Sequence, residues 1–275
     1  MSLFHVPHLL PALGVLMLST LLASPAQAIV GGTSTTAFQA VGTGVQVTQD
    51  WVVTVQHAAF APGQVYNNGY GPRQVLASFD APGSGTFPAN DLTLLRLAPT
   101  LASIPSLAVA GDSFAIGTMP AMPVTITSPL GTPRSYGFTN ITEFARQIPD
   151  INGVPVTVNY LMSFGTSVRV QGGDSGGGLF YGSVTNSTSP LLGLSSALLE
   201  DNNVPPNPIG SGFVLLSAYR TWIDATLAAN PPLAGAQSIQ WVTAVPEPAT
   251  WALWVGGLLA VGVAARRRVA PLRRP

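Results

Sequence analysis

The chain has 275 residues, 47% of them hydrophobic and only 8% charged, with a formal net charge of zero. It is too apolar and too charge-poor for a disordered protein, and it is long enough for one large all-β domain or two small ones. Lysine is absent and five arginines (Arg266, Arg267, Arg268, Arg273, Arg274) crowd the extreme C-terminus, so Ile29–Thr243 sits at about −4 and offers nucleic acid no basic patch.

The first element is an apolar run, Leu9–Ala23, followed by Ser24-Pro25-Ala26-Gln27-Ala28. The run is short for a membrane span, and small residues at Ala26 and Ala28 match the pattern cut by signal peptidase. No lysine or arginine precedes it, which leaves the amino terminus as the positive end. Residues 1–28 are therefore expected to be a signal peptide, and the domain behind it to be exported. With no cysteine, that domain must hold by packing and not by disulfides.

From Ile29 onward the sequence reads as short strands punctuated by Gly, Pro, Ser and Asn. In the first half the predicted strands are Val41–Val47, Trp51–Val55, Gln74–Phe79 and Leu92–Leu97. The second half offers Val124–Thr127, Val154–Phe164, Gly178–Tyr181, Leu191–Ser196 and Gly212–Leu216. Many are rich in Val, Leu and Thr, which suit a half-buried pleated surface. Ser217–Ala228 alone has helical spacing, with Tyr219, Trp222, Ile223 and Leu227 as its apolar positions. Strands without alternating helices point to a sandwich or to barrels. Asn202–Pro208 reads as a loop, and 230–244 as a linker.

Three segments carry chemistry. Gly172-Gly173-Asp174-Ser175-Gly176-Gly177-Gly178 surrounds one serine with glycines, which let backbone N–H groups turn into one small space. A serine hydroxyl is a weak nucleophile and needs a base beside it and donors for the oxyanion it creates. Behind the leader the one histidine is His57, at the end of Trp51-Val52-Val53-Thr54-Val55-Gln56-His57. A carboxylate to orient the imidazole is available at Asp91, ahead of Leu92-Thr93-Leu94-Leu95-Arg96-Leu97.

Gly-Asp-Ser-Gly-Gly, the Thr-x-x-His segment and the Asp-aliphatic strand, in the order His, Asp, Ser, resemble the trypsin-like serine proteases. That order is not the one used by subtilisins or α/β-hydrolases. Gln56 and Ala58 depart from the family pattern; Ala58 stands where many members carry cysteine. Leu192-Gly193-Leu194 leading to Ser196 resembles the strand that binds the substrate backbone. Gly210-Ser211-Gly212-Phe213 and Ser217–Ile223 resemble the last strand and terminal helix.

The resemblance implies an all-β domain over 29–229, two packed six-stranded antiparallel barrels split near 115–120, with a C-terminal helix. It implies a His57-Asp91-Ser175 triad and an oxyanion hole from the N–H groups of Gly173 and Ser175. Ile29-Val30-Gly31-Gly32 matches the mature amino terminus of the family, whose ammonium pairs with the acid before the nucleophile, here Asp174. Signal peptidase would then activate the enzyme directly. Ser196, Leu198 and Gly212 fall at substrate-binding positions, and Arg169 stands where trypsins place the specificity aspartate. Arginine there argues against trypsin specificity and would instead attract acidic side chains, whereas Leu198 in place of a glycine favours small ones.

The tail begins Val245-Pro246-Glu247-Pro248, continues as an apolar stretch from Ala249 to Ala265 and ends on Arg266-Arg267-Arg268. Seventeen apolar or near-apolar residues lie at the lower end of what spans a bilayer, roughly 17 to 25, and the arginines behind them would stay cytoplasmic. This tripartite 245–275 segment resembles the PEP-CTERM sorting signal of Gram-negative bacteria. It implies membrane retention through the C-terminal helix, processing by an exosortase-type enzyme and delivery to the cell surface or matrix. The partners expected are thus a polypeptide substrate, signal peptidase, the sorting enzyme and the membrane. No cofactor or metal is expected, since no ligand cluster is present. Two other readings fit the same residues: a catalytically silent surface or matrix adhesion protein, and an esterase using the same serine.

Overall fold

A computed structural model describes residues 29–83, 87–130, 134–149, 154–200, 209–231 and 238–244. The expected signal peptide, residues 1–28, and the expected sorting tail, 245–275, lie outside the described residues. In chain order the strands are β1 (Thr33–Thr35), β2 (Val41–Gly42), β3 (Gly44–Gln46), β4 (Trp51–Thr54), β5 (Val65–Asn68), β6 (Gly71–Asp80) and β7 (Thr93–Leu97). There follow β8 (Ala108–Ala110), β9 (Gly117–Thr127), β10 (Arg134–Pro149), β11 (Pro155–Phe164), β12 (Gly178–Tyr181), β13 (Leu191–Glu200) and β14 (Ile209–Leu215). A 3-10 turn at Leu216–Tyr219 leads into helix α1 (Arg220–Ala229), and β15 (Gln240–Val242) comes last.

The strands form two sheets with barrel-like curl. The first runs β2-β3-β4-β7-β6-β5. Its two ends are drawn together by Tyr66, whose hydroxyl donates to Gly44 O at 2.9 Å, and by Gly69 N, which donates to Gln39 O at 2.7 Å. In the second sheet β9, β10, β11, β14, β13 and β12 follow one another, and β12 pairs with both β9 and β13, which closes a six-stranded ring. β1 adds to β10, while β8 and β15 extend the ring from β13 by parallel pairing. All the pairs around the ring are antiparallel.

Alternation explains the packing. Along β4, Trp51 and Val53 face the second barrel while Val52 faces the interior of the first, and along β7 Leu94 and Leu95 divide in the same way. Strands buried on both faces read as near-continuous apolar runs, which is why Trp51–Val55 and Leu92–Leu97 are legible in the sequence. The largest apolar cluster lies between the barrels. Val41, Val45, Trp51 and Leu94 there meet Tyr160, Met162, Phe180 and Val214. The interior of the second barrel is filled by Ile29, Ile126, Ile141, Leu161, Leu179 and Phe213. Buried apolar surface stabilises by about 25 cal/mol per Å2, so these clusters supply the stability that disulfides provide elsewhere.

Two expectations change. The Val41–Val47 run is not one strand: it folds back so that Val41 pairs with Val45. β8 pairs with β13 of the second sheet, while the ring itself begins with β9 at Gly117. The expected linker 230–244 ends in β15, which pairs with β8 and sets Ile239 into the core at 7% exposure. Trp241 anchors that strand by donating to Asp224 at 2.9 Å and by lying 5.2 Å from the Arg220 guanidinium. Among the described residues no helix is long and apolar enough to cross a membrane.

Candidate active site

Three separate turns, two on the first barrel and one on the second, bring His57, Asp91 and Ser175 together. His57 lies in the 3-10 turn Gln56–Ala58 that ends β4. Asp91 sits just ahead of β7, after Asn90, whose backbone is left-handed (φ 41°), a conformation asparagine tolerates. The Asn90 side chain secures that turn: Tyr219 donates to its Oδ1 at 2.9 Å, and its Nδ2 donates to Pro82 O at 3.1 Å.

Ser175 sits on the loop between β11 and β12. Gly176 N donates to Ser195 O at 2.8 Å, and Ser195 N donates to Gly177 O at 2.7 Å, so β13 holds the loop from beneath. The glycines are structural requirements. Gly173 has φ 95°, and a Cβ on Gly177 would fall 2.0 Å from Thr127 O.

Asp91 is 1% exposed and accepts three hydrogen bonds. His57 N donates to Oδ1 at 2.9 Å, His57 Nδ1 lies 2.8 Å from Oδ2, and Ser196 Oγ donates to Oδ2 at 2.5 Å. An ionised carboxylate only accepts, so Nδ1 carries the proton and Nε2 is left as the acceptor. Nε2 lies 2.8 Å from Ser175 Oγ. The Phe87 ring meets the imidazole edge-on at 4.8 Å between centroids. This arrangement can draw a proton from the serine as its oxygen attacks an electrophile. Gly173 N and Ser175 N have no hydrogen-bond acceptor among the described residues, which leaves both donors free beside Ser175 Oγ.

The remaining expected residues divide. A cavity of about 170 Å3 opens beside Ser175, walled by Phe87, Val170, Gln171, Ser195, Ala197 and Leu198. Leu198 is 53% exposed, at its rim. Arg169 does not line this cavity; its backbone pairs with Val30 (N to O 3.1 and 3.3 Å). Gly212 also stays out of the wall and packs under the Tyr160 ring. Ser196 does line it, with its hydroxyl turned to Asp91.

Ile29 and Asp174 are not hydrogen-bonded to each other here. Ile29 N, a peptide amide with Ala28 still attached, donates to Ser135 Oγ at 3.0 Å. Asp174 is fully buried and accepts from Ser128 Oγ at 2.5 Å and from Gln171 N at 2.8 Å. Burial pushes its carboxyl up to about 6, the two hydrogen bonds opposing the shift. Ser128, just past the end of β9, donates its N–H to Ser135 O on β10 at 2.9 Å, so the two bonds are close neighbours. Nothing in the spacing of Ser128, Ser135 or Tyr160 singles them out from other strand serines and tyrosines.

Residues 244–268 match the family described as the PEP-CTERM protein-sorting motif, so the chain carries that signal at its C-terminus. Among solved structures it is similar to "Kallikrein-related peptidase 10 complex with Zn2+", at 22% identity over 68% of this chain and 89% of that one, with a TM-score of 0.43. No curated protein matches it.

Proposed function

We propose that this chain is an exported serine endopeptidase, sorted to the cell surface or matrix by its C-terminal signal. The observation that carries the reading is the unbroken line Asp91–His57–Ser175, two contacts of 2.8 Å with each partner in the required role. Ser175 Oγ attacks the substrate carbonyl while His57 Nε2 takes its proton, and Asp91 holds the imidazole tautomer and the charge that forms on it. The oxyanion of the tetrahedral intermediate is received by Gly173 N–H and Ser175 N–H, and such a donor typically contributes on the order of 10²–10³ in rate. His57 then returns the proton to the leaving amine, and water repeats the sequence on the acyl-enzyme.

Among the described residues the cavity wall carries no lysine, arginine, histidine or glutamate, and the Asp174 carboxylate is engaged by Ser128 and Gln171. An uncharged substrate side chain therefore suits it better than a basic or acidic one. A cavity of about 150 Å3 takes a benzene ring, so about 170 Å3 accommodates a side chain of moderate size. Arg169 does not line this wall, which removes the reason to expect acidic substrates.

A fluorophosphonate probe tests the reading. The purified protein should be labelled and its Ser175→Ala variant should not. A folded protein that takes up no probe would favour the silent adhesion protein, whereas labelling with hydrolysis of esters but not peptides would favour the esterase.

A further inference from the structure

Ser196 Oγ lies 2.5 Å from Asp91 Oδ2 and 2.5 Å from the hydroxyl of Tyr160. A serine hydroxyl has one proton to give. Ionised Asp91 has none, so Ser196 must donate to Asp91, and Tyr160 must then donate to Ser196. The order is fixed: Tyr160 O–H to Ser196 O–H to Asp91, with His57 donating to the same carboxylate from the other side. Three features of the fold build this chain. β13 shifts register between Ser195 and Ala197 where it pairs with β14, a bulge that re-aims Ser196. Tyr160 enters from β11, paired with Val214, and is 1% exposed. A Cβ on Gly212 would fall 3.0 Å from the Tyr160 ring, so the glycine provides the ring's seat.

The geometry points to Tyr160 as a positioning residue of the triad. A strand of the second barrel thereby fixes, through Ser196, the acid contributed by the first. The inference rests on the serine-hydrolase reading of the site. The titratable groups around Asp91 are His57, Tyr160 and Tyr219, the last bonded to neighbouring Asn90. Burial holds the Tyr160 proton on its oxygen, so the phenol remains a donor. Donors in series strengthen one another in a poorly hydrated site. Without Tyr160, the Ser196 proton loses its fixed direction and the carboxylate loses part of its stabilisation. Its hold on the imidazole is then less precise, which slows proton transfer from Ser175.

The test is the second-order rate of fluorophosphonate labelling against pH for the full chain, its Tyr160→Phe and Ser196→Ala variants and the double variant. Tyr160→Phe keeps the ring, and thermal melting checks that it folds. It should label about fivefold more slowly than the wild type across the pH range. In the Ser196→Ala background the same change should have no further effect, because the path runs through Ser196. A Tyr160→Phe rate and profile equal to the wild type would overturn the inference. So would an equal loss with and without Ser196, which would make Tyr160 a packing residue only. A wild-type chain that takes no label at all would instead remove the hydrolase reading beneath it.

Discussion

Asp174 allows the role of the amino terminus to be read from stability alone. Its carboxylate is fully buried, held by Ser128 and Gln171, and among the described residues no cation is paired with it. Burial raises its carboxyl from 3.8 to about 6. A raised carboxyl means that the folded state binds more protons than the unfolded state between those values. Stability is therefore greatest below pH 3.8 on this account and falls as pH climbs through 6. Two pH units at 1.36 kcal/mol each give a loss of about 3 kcal/mol.

A free ammonium at Ile29, released beside Ser135, would reverse that sign. Pairing with it would pull the carboxyl below its ordinary value, and the Asp174 contribution would be flat from pH 4 to 7. The assay is urea unfolding at pH 4, 5, 6 and 7 on two forms, one beginning at Ile29 and one retaining Ala26-Gln27-Ala28. The extended form should lose about 3 kcal/mol over that range and the Ile29 form should not. Equal losses in both would refute the ion pair and leave Ser128 as the group that holds the loop. No loss in the extended form would refute the burial argument itself.

Three substitutions probe the surrounding structure. Gly177→Ala sets a methyl against Thr127 O and should cost on the order of 3 kcal/mol in denaturant unfolding, with labelling of Ser175 lost. Leu198→Gly opens the cavity rim: kcat/KM for peptides with large side chains before the cleaved bond should rise severalfold, with small ones little changed. Trp241→Ala removes the contacts to Asp224 and Arg220 that dock β15 and should cost about 2 kcal/mol, seen as a melting point lower by about 4–8 °C.

Much of the site was legible because its residue types are chemically demanding. A loop that must turn tightly leaves glycines on either side of Ser175, and His57, the one histidine after residue 28, leaves one candidate base. Strands buried on both faces, such as β4 and β7, were equally plain. The longest strand, β10, escaped because small and polar residues occupy its inward positions. Ser135, Gly137 and Thr139 are buried, while Phe138 is 43% exposed, which inverts the usual alternation. β15 escaped because the Pro and Gly ahead of it read as a linker, and its parallel partner β8 is remote in sequence. Tyr160 and Ser128 are defined by what they touch across the barrels, information that no local pattern holds. Arg169 was assigned from its count before Ser175, but its backbone is engaged with Val30 and its residue does not reach the cavity wall.

The central claim, peptide-bond hydrolysis by Ser175, is tested most directly by incubating the purified protein and its Ser175→Ala variant with a peptide library and identifying the products by mass spectrometry. The wild type should cut internally after uncharged side chains of moderate size, and the variant should show a fall on the order of 10⁶-fold. Cleavage that persists undiminished in Ser175→Ala, or a folded, probe-reactive wild type that cuts no peptide, would contradict it.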